Sequence, residues 1–224
     1  MRGIQIVAQL QRPSMHSSSS ASDSFRRGEI VMVPESAMRA FEEAANEHIK
    51  RFNEEREEAF SLACTSTLWS QRKQRPNYRP ALILHILPGG KTEVCLLATF
   101  GKTPYEDIYE NTRDLVVPIA NRVVSAEDLP VESIQTRPVW PFPFEHAITR
   151  SIIVSELRHW YPDNANRYWV EKENLKKLTA IGAEQARQLT TKLQKYEGGA
   201  NEWLKDIRRE ARKVSYRRDE VSRH

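Results

Sequence analysis

The stretch Tyr78-Arg79-Pro80-Ala81-Leu82-Ile83-Leu84-His85-Ile86-Leu87-Pro88-Gly89-Gly90-Lys91, continued by Thr92-Glu93-Val94-Cys95-Leu96-Leu97-Ala98-Thr99-Phe100-Gly101-Lys102, decides the fold. It holds two apolar runs around a Pro-Gly-Gly break, which is the pattern of a β-hairpin. The runs are unbroken rather than alternating, so the strands are expected to be covered on both faces or to sit at the centre of a small barrel. Pro80 has no N–H for a ladder and can only open its strand. Arg79 then stands at the mouth of the first strand and Thr99 at the far end of the second. A turn between them brings the two positions together.

Upstream, Gly28 to Pro34 reads as a first strand closed by proline. Ser36 is placed to cap a helix. Met38, Phe41, Ala45, Ile49, Phe52, Ala59 and Ala63 recur on one face of that helix, predicted over 36–64 and ending near Cys64. Its outer side is acidic, as a solvated face usually is. Thr65 to Asn77 is a basic connector carrying Arg72, Lys73 and Arg75. Residues 1–27 are Ser-rich, without apolar period, and read as a disordered tail.

Downstream, Thr103 to Arg113 reads as a loop and Asp114 to Ile119 as an edge strand, because of Pro118. The stiff segment RPVWPFPF is expected to strap the core with Trp140, Phe142 and Phe144; base stacking by one of these rings is the sharper alternative. Ser151 to Val154 reads as a strand. A second amphipathic helix is predicted from Glu171 to Tyr196, stopped by Gly198-Gly199. Residues 201–224 concentrate Arg208, Arg209, Arg212 and other cations, and read as a basic helical or frayed tail, solvated or in contact with nucleic acid.

Composition narrows the function class. The 224 residues carry a formal charge of +4, with pI near 9.1 and mean hydropathy −0.63. That balance permits contact with nucleic acid without demanding it. The two cysteines, Cys64 and Cys95, are too few for a disulfide framework or a zinc site and read as reduced thiols of a cytoplasmic or nuclear protein. No apolar run approaches the ~18 residues of a membrane span. Arg2, Arg12 and the serines are compatible with a mitochondrial presequence, the less favoured reading. Walker, GxGxxG, HExxH and GxSxG motifs are absent. His85 is expected to be a core histidine, and the remaining histidines offer no clear acid–base pair. No cofactor or metal is expected.

What remains is an order of elements. GEIVMVP, YRPALIL, VCLLATF and SIIVSELR resemble, in that order, the signature segments of the MazF/PemK-type toxin endoribonucleases. The resemblance implies an α+β fold built on a small SH3-like antiparallel β-barrel, here with a long helical insertion at 36–64 and C-terminal helices. The expected organisation is a tail at 1–27, the barrel domain at 28–160, and helices with a basic tail at 161–224. The resemblance implies metal-independent cleavage of single-stranded RNA and a homodimer. It assigns catalysis to Arg79 and Thr99 and aligns the family's first-strand acid with Glu29. A fixed guanidinium suits the charge that builds on phosphate oxygens when a 2′-hydroxyl attacks phosphorus. Arg72, Lys73, Arg75, Arg208, Arg209 and Arg212 are the expected RNA-backbone contacts. The alternatives are a catalytically silent barrel that binds nucleic acid, and a protein-interaction module working through its two amphipathic helices. The long insertion, the Arg-Pro-Asn-Tyr lead-in and the C-terminal helices depart from the family pattern.

Overall fold

The computed structural model describes residues 24–55, 78–129, 131–161 and 167–221; side chains are described neither at 53–55 nor beyond 213. The fold is α+β, with antiparallel pairing throughout its named strands and four α-helices among the described residues. The predicted hairpin is its centre. β2 (Arg79–Ile86) and β3 (Thr92–Ala98) pair antiparallel, with Ala81 opposite Leu96 and Leu82 opposite Cys95. β1 (Ile30–Val33) lies on the outer side of β2, placing Val33 opposite Arg79. On its other edge β3 takes two short strands in succession. β6 (His146–Ile148) pairs with Leu97 and Ala98, and β7 (Ile152–Val154) with Thr92 to Val94. β4 (Val116–Pro118) and β8 (Arg158–His159) end the path at its two edges, β4 beside β6 and β8 beside β1. β5 (Thr136–Arg137) and β9 (Trp169–Val170) form a separate pair.

The apolar runs are unbroken because each face of the sheet has its own core. Val31, Val33, Ala81, Ile83, Val94 and Leu96 point into one cluster; Ile30, Leu82, Cys95 and Leu97 point into the other. Alternation along a strand sends successive side chains to opposite faces, so a strand buried on both must be apolar at every position. The first cluster is covered by α1 (Met38–Glu55) and α4 (Gly199–Val221). The second is closed by Trp140, Tyr168 and the first turns of α3 (Lys172–Lys195), through Leu175 and Leu178. The short α2 (Glu110–Arg113) precedes β4.

The Ser36 cap is present: its hydroxyl accepts from the Met38 N–H at 3.3 Å. The predicted helix continuation past residue 55, the connector cations Arg72, Lys73 and Arg75, and residues 1–23 of the Ser-rich tail lie outside the described residues. The strap behaves as expected at Trp140, which is fully buried, whereas Phe142 is exposed and lies against Trp160. His85 is corrected: it is exposed, and its Nδ1 meets Glu93 at 2.9 Å. The register shifts between Ile83 and His85, so the alternation that buries Ile83 does not carry on to the hairpin tip. Of the two readings of the segment after residue 200, the helical one holds through Val221 among the described residues. Ala200, Trp203, Leu204 and Ile207 are buried, and the half-buried Arg208 pairs with Glu42 of α1 at 2.7 Å.

Among the described residues, no helix is long and apolar enough to cross a membrane.

Candidate functional site

Arg79 is the first residue of β2, and the residues of β3 end one position before Thr99. Antiparallel pairing therefore delivers both to the same end of the hairpin, away from the Pro88–Gly90 turn. Both line one cavity of about 320 Å³. Its floor is the rim of the sheet, from Ala98 to Gly101. One wall is the start of α1, from Ser36 to Phe41. The loop around Asp107 to Tyr109 forms another, and Ile207, Glu210 and Ala211 of α4 close over it. A cavity of this size fits a drug-sized or nucleotide-sized ligand.

Backbone chemistry fixes the geometry. The Arg79 Nε donates to the Glu35 carbonyl oxygen at 2.9 Å, which ties the guanidinium to the chain just before α1. Its two Nη groups have no hydrogen-bond partner among the described residues, and neither is sealed from solvent. Four N–H donors are thus held in a planar fork at the cavity wall, the arrangement that suits a phosphate or carboxylate. Burial lowers the Arg79 pKa somewhat, and an arginine so shifted is still a cation at neutral pH. The Thr99 carbonyl accepts the Lys102 N–H at 2.8 Å and the Thr103 N–H at 3.2 Å. These bonds close a tight turn in which Phe100 and Lys102 take positive φ. Thr103 and Thr112 add hydroxyls to the lining, and Asp107 and Glu210 add carboxylates.

Within the electrostatic reach of Arg79 is Glu145, only 6% exposed. No hydrogen bond or ion pair joins its carboxylate to Arg79 among the described residues, and its oxygens are not sealed from solvent. Burial pushes its pKa up to about 7 against the opposing pull of the Arg79 charge. The next residue, His146, is buried between Phe100 and Tyr105. Burial takes its pKa down to about 4, so it is neutral at physiological pH, and its Nδ1 has no partner among the described residues.

Of the residues singled out in the sequence, the structure brings Arg79 and Thr99 together. Glu29 is not with them. It is 4% exposed at the other end of β1, where it accepts from the Arg26 N–H at 3.0 Å, meets His159 Nδ1 at 3.1 Å and has Arg167 at 3.5 Å. Arg208 is spent on Glu42, the exposed Arg209 pairs with Asp206 on its own helix, and Arg212 is exposed. Sequence reasoning missed Glu145 and the α4 side of the cavity. The second had a signal: Ala200, Trp203, Leu204 and Ile207 recur at three- and four-residue steps. Glu145 had none, because its relation to Arg79 spans two strands that are distant in sequence.

No family model, curated protein or solved structure matches this chain.

Proposed function

We propose that the Arg79–Thr99 cavity is a phosphodiester-binding site on an SH3-like sheet of the MazF/PemK kind, and that the protein is a metal-independent endoribonuclease acting on single-stranded RNA. The observation that carries this reading is the convergence of a half-buried, partly unpaired guanidinium and a strand-end threonine in one cavity. In the proposed reaction the 2′-hydroxyl of the substrate loses its proton to water and attacks the adjacent phosphorus. The 5′-oxygen leaves with a proton from solvent, and a 2′,3′-cyclic phosphate remains. The Arg79 fork takes up the charge growing on the non-bridging oxygens, and the Thr99 hydroxyl donates to one of them. Arg209 and Arg212, exposed on α4, are the proposed contacts to the flanking chain. A homodimer and a cytoplasmic or nuclear location belong to the same proposal.

One observation favours a second reading, binding without turnover. Asp107 and Glu210 place two carboxylates in the lining opposite a single arginine, and α1 and α4 narrow the access. A mixed pool of single-stranded RNA incubated with the protein in EDTA separates the two. Cleavage that disappears in Arg79→Ala supports the nuclease. Salt-dependent binding with intact RNA supports the silent form.

A further inference from the structure

Arg79 accounts for one side of the cavity and leaves the rest of the lining without a role. At about 320 Å³ the space is that of a small-molecule site, larger than a phosphate needs. Met38, Phe41, Phe100, Ile108 and Ile207 line it with apolar side chains. The half-buried Phe100 is held in a turn where its own φ is +41° and its carbonyl accepts from the Thr103 hydroxyl at 2.6 Å. Two polar side chains of the lining are unspent. Asp107 is exposed, and its carboxylate makes no hydrogen bond or ion pair among the described residues. Thr112 is only 5% exposed, and its hydroxyl has no hydrogen-bond partner among the described residues and is not sealed from solvent. A hydroxyl on so buried a residue ordinarily has a partner, and this one has the cavity beside it. Glu210, the second carboxylate of the lining, is taken by Lys213 on its own helix.

We infer that the remainder of the cavity takes one unstacked base of the RNA, that this base is guanine, and that Asp107 is the residue that selects it. The inference rests on the phosphodiester reading of Arg79. Single-stranded RNA is read through bases that leave the stack, lie against aromatic side chains and are hydrogen-bonded along their Watson–Crick edges. Phe100 supplies the ring, and Met38 and Ile207 supply apolar cover. An ionised carboxylate can only accept hydrogen bonds. Guanine alone among the RNA bases presents two donors side by side, N1–H and the 2-amino group, which one carboxylate takes with its two oxygens. The Thr112 hydroxyl is the donor available to the neighbouring O6. Adenine and cytosine set a ring-nitrogen acceptor beside their amino group. Uracil sets a carbonyl on each side of its single N–H. Each of the three therefore brings a lone pair against the carboxylate. The base is neutral, which explains an acid in a cavity that binds an anion: Arg79 serves the phosphate and Asp107 the base.

The test measures, by calorimetry on the full chain at neutral pH, the affinity for the deoxydinucleotides d(GpG), d(ApA), d(CpC) and d(UpU). Each has a single phosphodiester and lacks the 2′-hydroxyl needed for cleavage. The wild-type protein should bind d(GpG) roughly tenfold or more tightly than the other three. The deoxyinosine dinucleotide, which lacks only the 2-amino groups, should lose most of that preference. Asp107→Asn keeps the shape of an exposed side chain that holds nothing in the fold. It should weaken d(GpG) by about tenfold and leave d(UpU) no weaker. Wild-type protein that binds the four alike or prefers another base overturns the inference. So does inosine that binds like guanine, or a guanine preference that survives in Asp107→Asn. The inosine probe needs no variant and so decides the matter even if the asparagine protein does not fold. Arg79→Ala separates the two layers. If it abolishes binding of every dinucleotide while wild type shows no preference among the bases, the phosphodiester reading stands and only the base assignment falls. If Arg79→Ala binds like wild type, or the wild type binds no dinucleotide, both fall.

Discussion

Two buried glutamates sit at opposite ends of this sheet, and they are built differently. Glu29, at the start of β1, is met by a backbone N–H, an imidazole and a guanidinium. Glu145, before β6, has no hydrogen bond or ion pair among the described residues, and Arg79 acts on it as a charge. Desolvation costs both of them, since a buried carboxylate loses its water. At Glu29 the cost is offset by local donors, and the result is a fixed strut joining β1 to β8 and to the segment before β9. At Glu145 desolvation outweighs the pull of Arg79, a residue of the cavity lining, and the carboxyl pKa is pushed up to about 7. A charge held by local donors belongs to the scaffold; one whose pKa is strongly displaced is where function is to be sought.

The comparison is broken most severely by removing the strut. Glu29→Ala removes a buried acceptor shared by the Arg26 N–H, His159 and Arg167 and should lower unfolding free energy by about 3 kcal/mol, read by urea denaturation. Glu145→Gln should show no such loss at pH 8. Equal losses at the two sites would erase the distinction.

The next effect lies in the pH dependence of stability. The folded pKa of Glu145, about 7, is above that of an unfolded glutamate. Its contribution to stability is therefore fullest at low pH and is lost as pH rises from about 4.5 through 7, by about 3 kcal/mol in all. His146 runs the other way. Its folded pKa, about 4, is below the unfolded value, so it costs stability in acid and the cost vanishes as pH rises from about 4 to 6.5, by a similar amount. In the wild type the two nearly cancel. Urea midpoints for Glu145→Gln should rise with pH across this window, and those for His146→Leu should fall. Parallel profiles for the two variants would show that neither residue titrates as described.

A smaller effect tests how α4 is held over the cavity. Arg208→Glu sets two acids against each other at a half-buried contact with Glu42, and should cost about 1–3 kcal/mol. Adding Glu42→Arg should recover most of it, and a double variant no better than the single would mean the pair is not what holds the helix. The smallest effect is expected at Gly198, where φ is +76° and an added Cβ would meet the Glu202 side chain. The Glu202 Cγ can swing away, but its Cβ, 2.9 Å from the added carbon, moves only with the helix, so Gly198→Ala should cost about 1–2 kcal/mol from backbone strain and this contact together, measured by thermal melting.

Much of this was legible in the sequence, and for a local reason. The Ala81–Ile86 and Val94–Phe100 runs, the Pro-Gly-Gly turn and the position of Pro80 are all read within one stretch, and they place Arg79 beside Thr99 without any long-range information. Two-face burial followed from the lack of alternation, and the two core clusters bear it out. His85 was misplaced because a register shift in mid-strand leaves no mark on composition. The C-terminal helix was read by its arginines, which hid the Trp203–Ile207 stripe that anchors it. Glu145 could not be read at all: its chemistry comes from the burial it shares with Arg79, and burial is a property of the folded sheet.

The account stands or falls on whether the Arg79–Thr99 cavity takes a phosphodiester of RNA. The most direct measurement is the cleavage rate of mixed single-stranded RNA in EDTA by wild type, Arg79→Ala and Arg79→Lys, each first shown by melting to be folded. The account predicts 2′,3′-cyclic phosphate ends from the wild type, a loss of about 10²-fold or more in Arg79→Ala, and only slight recovery with lysine, which has the charge without the fork. Folded wild-type protein that leaves every RNA intact, or cleavage indifferent to the loss of Arg79, would contradict it.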